Sequence, residues 1–376
     1  MSRKLLLILV LAWTAIRLHG QGAVRLYNEA QDNYLRNAYH LAEEKLRLAL
    51  KIEKRYPDAW FLWGQCRWQQ KDYKGAVQYY DKAIKMTPSE PEYHFHKGVA
   101  LEDAGKIKKA IRSYARTTRL SPGYTLAWKR LGAIFYRAGD MAIAVQQYSE
   151  VVKADPLDVE GFLLRGIAQT QLGNYADALS DFTFTLALDP ENIDAYDNRA
   201  RIHATQGEAM EAIQDFSQVI DLRPHDREAR MNRGVILLAL GLREQALSDL
   251  DTAIALDSTL ADAWWNRAFL LHEAQDWEAA RRSALKATAL APQDAQAWLL
   301  LGKIEFRRRK HAEAIAAFDR CLALDKRQAE AYLHRGEAKR VLGDEAEACQ
   351  DWKKVLRYGT GELARKAEQW HAIVCE

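Results

Sequence analysis

A small residue returns every 34 positions along the chain, at Ala30, Gly64, Gly98, Gly132, Gly166, Ala200, Gly234, Ala268, Gly302 and Gly336. Twelve residues after each stands an alanine without exception, from Ala42 and Ala76 through to Ala314 and Ala348. Prolines keep the same period at Pro88, Pro122, Pro156, Pro190, Pro224 and Pro292. No insertion or deletion disturbs the register across ten units. A fixed period of this size predicts an array in which each unit packs on its neighbours, not a chain folded around one globular core.

The spacing also describes the unit. Two helices of about a dozen residues, with their turns, fill 34 positions. The Gly or Ala at the eighth position and the Ala at the twentieth let the two helices cross closely. An aromatic usually follows four residues after that alanine, at Tyr80, Tyr114, Tyr148, Phe182, Phe216, Phe318 and Trp352. Glycines at Gly105, Gly139, Gly173, Gly207, Gly241 and Gly343 suit a helix C-cap that needs positive φ. The proline then stops the second helix.

This pattern resembles the tetratricopeptide repeat, with Trp60, Trp128, Trp264 and Trp298 at its fourth position, followed by the small residue, the alanine, the aromatic and the closing proline. The resemblance covers residues 23–362 and implies an all-α, right-handed superhelical α-solenoid of about ten repeats, beginning at Ala23, Pro57, Pro91, Thr125, Val159, Ile193, Arg227, Ala261, Ala295 and Ala329. Departures are local. Lys54, Ser258, Lys326 and Thr360 stand where the proline would be, and Leu46, Leu250 and Ala284 where the aromatic would be.

The two ends read differently. Arg3 and Lys4 precede an apolar run from Leu5 to Ile16 and then a polar segment, the arrangement of a secretory signal peptide over residues 1–20 with cleavage before Gln21. No second hydrophobic stretch follows, so the mature chain is expected to have no transmembrane segment, and an exported location, the periplasm or envelope of a bacterium, or secretion. At the other end, Leu363, Ala367, Trp370 and Val374 form one apolar stripe, and residues 363–376 are expected to make a capping helix with Thr360 at its N-cap.

The formal charge of +3 falls to about zero without Arg3, Lys4 and Arg17, but the sum hides a polarity. Residues 106–137 hold nine Lys or Arg and no acid, whereas 140–221 hold fifteen acids against four bases. Lys108, Lys109, Arg112, Arg116 and Arg119 lie mainly on the outward side of a second helix, which reads as a solvated face; no nucleic-acid partner is expected. Such opposed charges can orient a partner or a second copy of the chain.

The cysteines are Cys66, Cys321, Cys349 and Cys375. Unpaired core thiols are the simpler expectation; if a disulfide forms, Cys349–Cys375 is the pair. No CxxC, P-loop, GxSxG or HExxH occurs, and His371 with Cys375 lacks a third ligand, so neither metal nor cofactor is expected. Ten repeats and a last helix leave no room in this chain for a catalytic domain, and no catalytic residue is assigned.

The resemblance places positions 2, 5, 6, 9, 12 and 13 of each first helix toward a concave groove. Its early part carries Phe61, Trp68, Phe95, Lys129, Arg130 and Tyr136, with Arg137. Asn198, Asn232 and Asn266 occupy one position in consecutive repeats, and Trp265, Phe269 and Phe306 follow. Such asparagines either hold an extended peptide by its main-chain amides or cap contacts between helices. The carboxylate clamp of some family members is not assembled, because Ala133 and Leu164 stand where asparagines are needed beside Lys129. The expected function is that of an exported, non-enzymatic scaffold binding a protein or peptide in the groove; the alternative is a self-associating structural or assembly factor of the cell envelope.

Overall fold

The computed structural model describes residues 21–375. The expected signal peptide lies outside the described residues. The described chain falls into two compact units, residues 21–190 and 191–375.

The first unit holds five helical hairpins. They are α1 (21–35) with α2 (Tyr39–Ile52), α3 (Pro57–Gln69) with α4 (Tyr73–Met86), α5 (Pro91–Asp103) with α6 (Ile107–Leu120), α7 (Thr125–Ala138) with α8 (Met141–Ala154), and α9 (Val159–Gln171) with α10 (Tyr175–Leu188). The second unit holds five more and a last helix: α11 (Ile193–Gln206) with α12 (Ala209–Leu222), α13 (Arg227–Ala239) with α14 (Arg243–Leu256), α15 (Ala261–Glu273) with α16 (Trp277–Leu290), α17 (Ala295–Arg307) with α18 (His311–Leu324), α19 (Ala329–Leu342) with α20 (Glu345–Tyr358), and then α21 (Gly361–Val374). Within each unit a helix packs on its hairpin partner and on the adjoining hairpin, the contact pattern of a solenoid. Among the described residues there is no strand.

The eighth-position glycine and the aromatic sixteen residues later are the two halves of one contact. A Cβ placed on Gly64 would lie 2.5 Å from the Tyr80 ring, and one on Gly302 would collide with Phe318. Gly98, Gly132, Gly166 and Gly336 meet Tyr114, Tyr148, Phe182 and Trp352 in the same way. These aromatics are all but fully buried. Where the aromatic is absent, the small partner is an alanine in two cases, Ala30 with Leu46 and Ala268 with Ala284.

The fourth-position side chain fastens one hairpin to the turn before it. The indole N–H of Trp128, Trp264 and Trp298 donates to the carbonyl of Pro122, Ser258 and Pro292, at 2.9, 3.0 and 3.0 Å. Asp158, Asn192 and Asp226 then cap their helices, each side chain accepting from the backbone N–H three residues on.

Buried ion pairs recur with the same period and were not expected from the sequence. Arg165, Arg199, Arg233 and Arg335 grip Asp181, Asp215, Asp249 and Asp351, sixteen residues on, through the Nε–H and Nη2–H of one guanidinium edge. Each aspartate is 3–4% exposed. Two other repeats fill the same two positions without charge: Trp63 stacks on Tyr79 at 4.8 Å, and Leu301 faces Ala317.

The hairpin turn holds a left-handed residue at each repeat. Gly105, Gly139, Gly173, Gly207, Gly241 and Gly343 have φ between 71° and 93°, but Lys71, Gln275 and Arg309 occupy the equivalent places with φ of 61°, 63° and 61°. A side chain there costs about 1 kcal/mol, partly offset by the freedom glycine gives the unfolded chain. The triple replacement Lys71→Gly, Gln275→Gly and Arg309→Gly is therefore expected to raise stability by about 1–2 kcal/mol in total. A fall in the thermal unfolding midpoint would show that these side chains contribute more than their backbone costs.

The last helix corrects two expectations. It begins at Gly361, not 363, through a left-handed residue with φ 59°. Thr360 stands at its N-cap, but the side chain accepts no hydrogen bond, so the capping role fails. The stripe itself packs as read: Ala367 is fully buried, with Leu363, Trp370 and Val374 against Trp352 and Val355. Packing of α21 beside α20 brings the Cα atoms of Cys349 and Cys375 to 5.8 Å, and the two form a disulfide. That overturns the simpler expectation of unpaired thiols. Closing this loop of 26 residues stabilises the cap by about 3–4 kcal/mol in the chain-entropy account. Cys66 and Cys321 are free and buried, and burial pushes their thiols up to about 12 and about 11.

Candidate partner-binding face

In the first unit, the residues expected to line the groove are mostly engaged by the protein itself. Phe61 and Phe95 are each only 8% exposed. Phe61 packs between Tyr80 and Tyr93, and Phe95 between Tyr114 and Tyr124. Both are core residues, because the fifth position points at the aromatic of its own second helix and not at solvent. Trp68 is half-buried, and its indole N–H donates to Asp103 at 2.6 Å. Lys129 lies 2.8 Å from Asp158 and 2.6 Å from Glu160, with its side chain 15% exposed. Burial opposes its charge, yet these two carboxylates prevail and hold its pKa above the ordinary lysine value. It joins α7 to α9 and is not available to a partner.

Arg130 and Arg137 remain exposed but share Glu102, at 4.0 and 2.5 Å, and Tyr114 donates to the same carboxylate. Tyr136 is half-buried beside the Tyr148 cluster. The cationic groove expected here is thus neutralised from within. On α6, Lys108, Lys109, Arg112, Arg116 and Arg119 are exposed, while Ala110, Ser113, Tyr114, Thr117 and Thr118 are buried, which is the solvated helix face read from the sequence.

The second unit differs. Asn198, Asn232 and Asn266 are half-buried at one position of α11, α13 and α15. The amide nitrogens of Asn198 and Asn266 each donate at 2.8 Å to a carbonyl one turn back, on Asp194 and Asp262. A carbonyl accepts only from a donor, so this bond sets which end of the Asn198 and Asn266 amides faces the helix backbone. Each of these two amides keeps its Oδ1 acceptor and one further N–H donor, and Asn232 holds the same position between them. One repeat interval separates each from the next. Trp265 and Phe269 stack beside it with ring centres 5.6 Å apart and planes 6° apart. Both are half-buried against the core of α15–α18, and the Trp265 indole N–H is buried with no partner.

Phe306 lies farther along, edge-on to His311 at 5.2 Å and near His334 at 6.3 Å. It lines a cavity of about 510 Å³ among α15, α17, α19 and α21, with Lys303, Arg307, Arg340, Lys366 and Trp370 in its wall. Inside this wall, His334 lies 2.9 Å from Glu337 and 3.7 Å from Glu330. Burial opposes its protonation, but the two carboxylates prevail and raise its pKa; Glu330, held by His334 and Lys303, is lowered to about 2. Sequence reasoning missed this cavity. Lys366 and Trp370 lie on α21, which reads from the sequence only as a solubility device, and Lys303 and Arg340 look like ordinary charges on two different repeats. The spacing of 34 that relates equivalent residues of neighbouring repeats carries no signal for a last helix outside the period.

The chain matches the tetratricopeptide repeat family in overlapping segments that run from residue 95 to 328, and again over 57–90. No curated protein matches its sequence. Among solved structures, the chain is similar to a tetratricopeptide repeat protein from Parabacteroides merdae, at 20% identity and a TM-score of 0.49, over 67% of this chain and 99% of that one. It is similar also to pilF of Pseudomonas aeruginosa, at 18% identity and a TM-score of 0.50, over 57% and 97% of the two chains. A chain of the APC/C hetero-tetramer Cut9–Hcn1 aligns over 94% of this chain and 96% of its own length, at 13% identity and a TM-score of 0.49.

Proposed function

The chain belongs to the tetratricopeptide repeat family, and from that membership we propose that it is a non-enzymatic scaffold that binds an extended segment of a protein partner along the first helices of its second unit. The observation that carries this reading is the row of Asn198, Asn232 and Asn266, one repeat apart, in which the amides of Asn198 and Asn266 are oriented by their own N–H bonds. An extended peptide offers main-chain N–H donors along its length, and the Trp265–Phe269 stack offers a flat apolar anchor beside them. The internal neutralisation of the first unit argues for the second as the main binding surface. Self-association as an envelope assembly factor is the alternative, and a sizing experiment on the purified chain discriminates it from a monomeric scaffold.

Export belongs to the same proposal. It is supported by the basic, apolar and polar order of residues 1–20 and by the Cys349–Cys375 bond, since disulfides persist in oxidising compartments. Among the described residues no helix is long and apolar enough to cross a membrane. Intact-mass measurement of the exported protein, alkylated after unfolding without reductant, is expected to give a chain beginning at Gln21 with two modified thiols. Four modified thiols would remove the disulfide, and retention of the leader would remove the export model.

The binding test is the pair Trp265→Ala and Asn232→Ala. With a partner captured from envelope extract, the double variant is expected to weaken binding by about a hundredfold or more, about 2.7 kcal/mol, with unchanged helical content. The control neutralises Arg112, Arg116 and Arg119 to Gln and is expected to alter on-rate and salt dependence at most. Loss of capture in the control, with normal binding by the double variant, would move the site to the outer face of α6.

A further inference from the structure

We infer that the cavity closed by the last helix is a subsite for an acidic stretch of the bound polypeptide. The inference rests on the groove reading above and adds the chemistry of the partner. Four cationic side chains line one cavity of about 510 Å³: Lys303 and Arg307 from α17, Arg340 from α19 and Lys366 from α21. One acid, Glu337, lines it with them, and His334 holds that carboxylate at 2.9 Å. Lys303 is paired with Glu330 and Lys366 with the exposed Glu362. Among the described residues Arg307 and Arg340 have no acidic partner.

Arg340 is the informative member. Its guanidinium lies 4.2 Å above the Trp370 ring, and its Nε–H is buried without an acceptor. A buried guanidinium donor is rarely left unmade, because the desolvation of a charged group is not recovered by the aromatic contact alone. A carboxylate is the acceptor that fits a guanidinium edge. Arg307 and Arg340, the two guanidinium groups without an acidic partner, stand on different helices and each presents an edge that one carboxylate fills, so the wall suits two acidic side chains of one stretch. Phe306 and Trp370 supply apolar walls for the side chains between them. The cavity also depends on the disulfide, since Cys349–Cys375 holds α21, and with it Lys366 and Trp370, in place.

Three labelled twelve-residue peptides test this by fluorescence anisotropy on the full chain. The first alternates Glu and Asp with Leu and Phe and has an amidated C-terminus. The second is its Gln and Asn isostere, also amidated. The third is that isostere with a free C-terminal carboxylate. The acid-rich peptide is expected to bind at least tenfold more tightly than the amidated isostere and to lose that advantage as salt rises. The variant Arg307→Gln with Lys366→Gln is expected to abolish the advantage without lowering the thermal midpoint, because both side chains are exposed. Equal binding of all three peptides overturns the acidic subsite and leaves the groove reading intact. Tighter binding of the free-terminus peptide than of the acid-rich one makes the cavity a reader of chain ends and overturns the inference. An acid preference that survives in the Arg307/Lys366 variant places the acidic subsite elsewhere and overturns it too.

Discussion

Replacing Gly166 with leucine is expected to destabilise the first unit by more than about 3 kcal/mol. A Cβ alone at this position would lie 2.8 Å from Cε1 of Phe182 and 3.1 Å from two further ring atoms. Leucine adds three more carbons to that space. Phe182 is fully buried, so its ring cannot swing toward solvent to make room. Overpacking of a close-packed core costs about 1–3 kcal/mol when neighbours yield, and more when the obstacle is a confined ring. Two companion variants separate this mechanism from a general loss of helix. Gly166→Ala is expected to be milder, because Ala200 sits over Phe216 in another repeat. Adding Phe182→Ala to Gly166→Leu is expected to recover part of the loss, by analogy with the alanine pair Ala268 and Ala284. Hydrogen exchange resolved by segment should localise the damage to α9, α10 and their neighbours, since contacts in an array are made between adjacent repeats. Uniform loss of protection along the chain would contradict that.

The second large effect is expected at Asp249. Arg233 donates to it through Nε at 2.7 Å and Nη2 at 2.8 Å, and also to Ser217 on α12 at 2.9 Å. Arg230 stands 3.8 Å from the same carboxylate. Asp249→Ala removes the anion and leaves two guanidinium groups near one another with no compensating charge. Breaking a buried pair in this way costs about 3–5 kcal/mol; the Arg233 side chain is 22% exposed, so about 2–3 kcal/mol is expected after screening. The double variant Arg233→Met with Asp249→Leu is expected to recover most of that, because apolar fillings such as Leu301 with Ala317 already occupy the equivalent positions elsewhere. A double-mutant cycle in urea unfolding measures the coupling. If Asp249→Ala costs less than about 1 kcal/mol, the pair does not hold the hairpin together.

Much of the architecture was legible because the period is itself a physical statement. A small residue, an alanine and an aromatic at fixed offsets can satisfy only two helices crossing at close range. The left-handed turn could be read from Gly105, Gly139 and their equivalents. It was not legible at Lys71, Gln275 and Arg309, where neighbouring repeats impose a conformation their side chains disfavour. The binding face was less legible. Phe61 and Phe95 look like groove aromatics in a helical wheel, yet whether the fifth position meets solvent depends on the ring placed against it by the second helix.

By itself, the sequence determined the helical register, the hairpin unit and the close crossing of its two helices at the small residues, because each depends on residues within one repeat; that the eighth-position residue meets the aromatic sixteen positions on came from the structure. The tertiary structure alone decided what depends on distance between helices. Lys129, Arg130 and Arg137 read as a cationic groove, but Asp158, Glu160 and Glu102 arrive from other helices and neutralise them. Arginine and aspartate sixteen residues apart became buried pairs only when helix packing removed the aspartates from water. Cys349 and Cys375 became a bond because α21 folds back on α20. Periodicity specifies which faces meet, but charge pairing and cavity shape are set by side chains from different helices. Their separation exists only once the helices have packed.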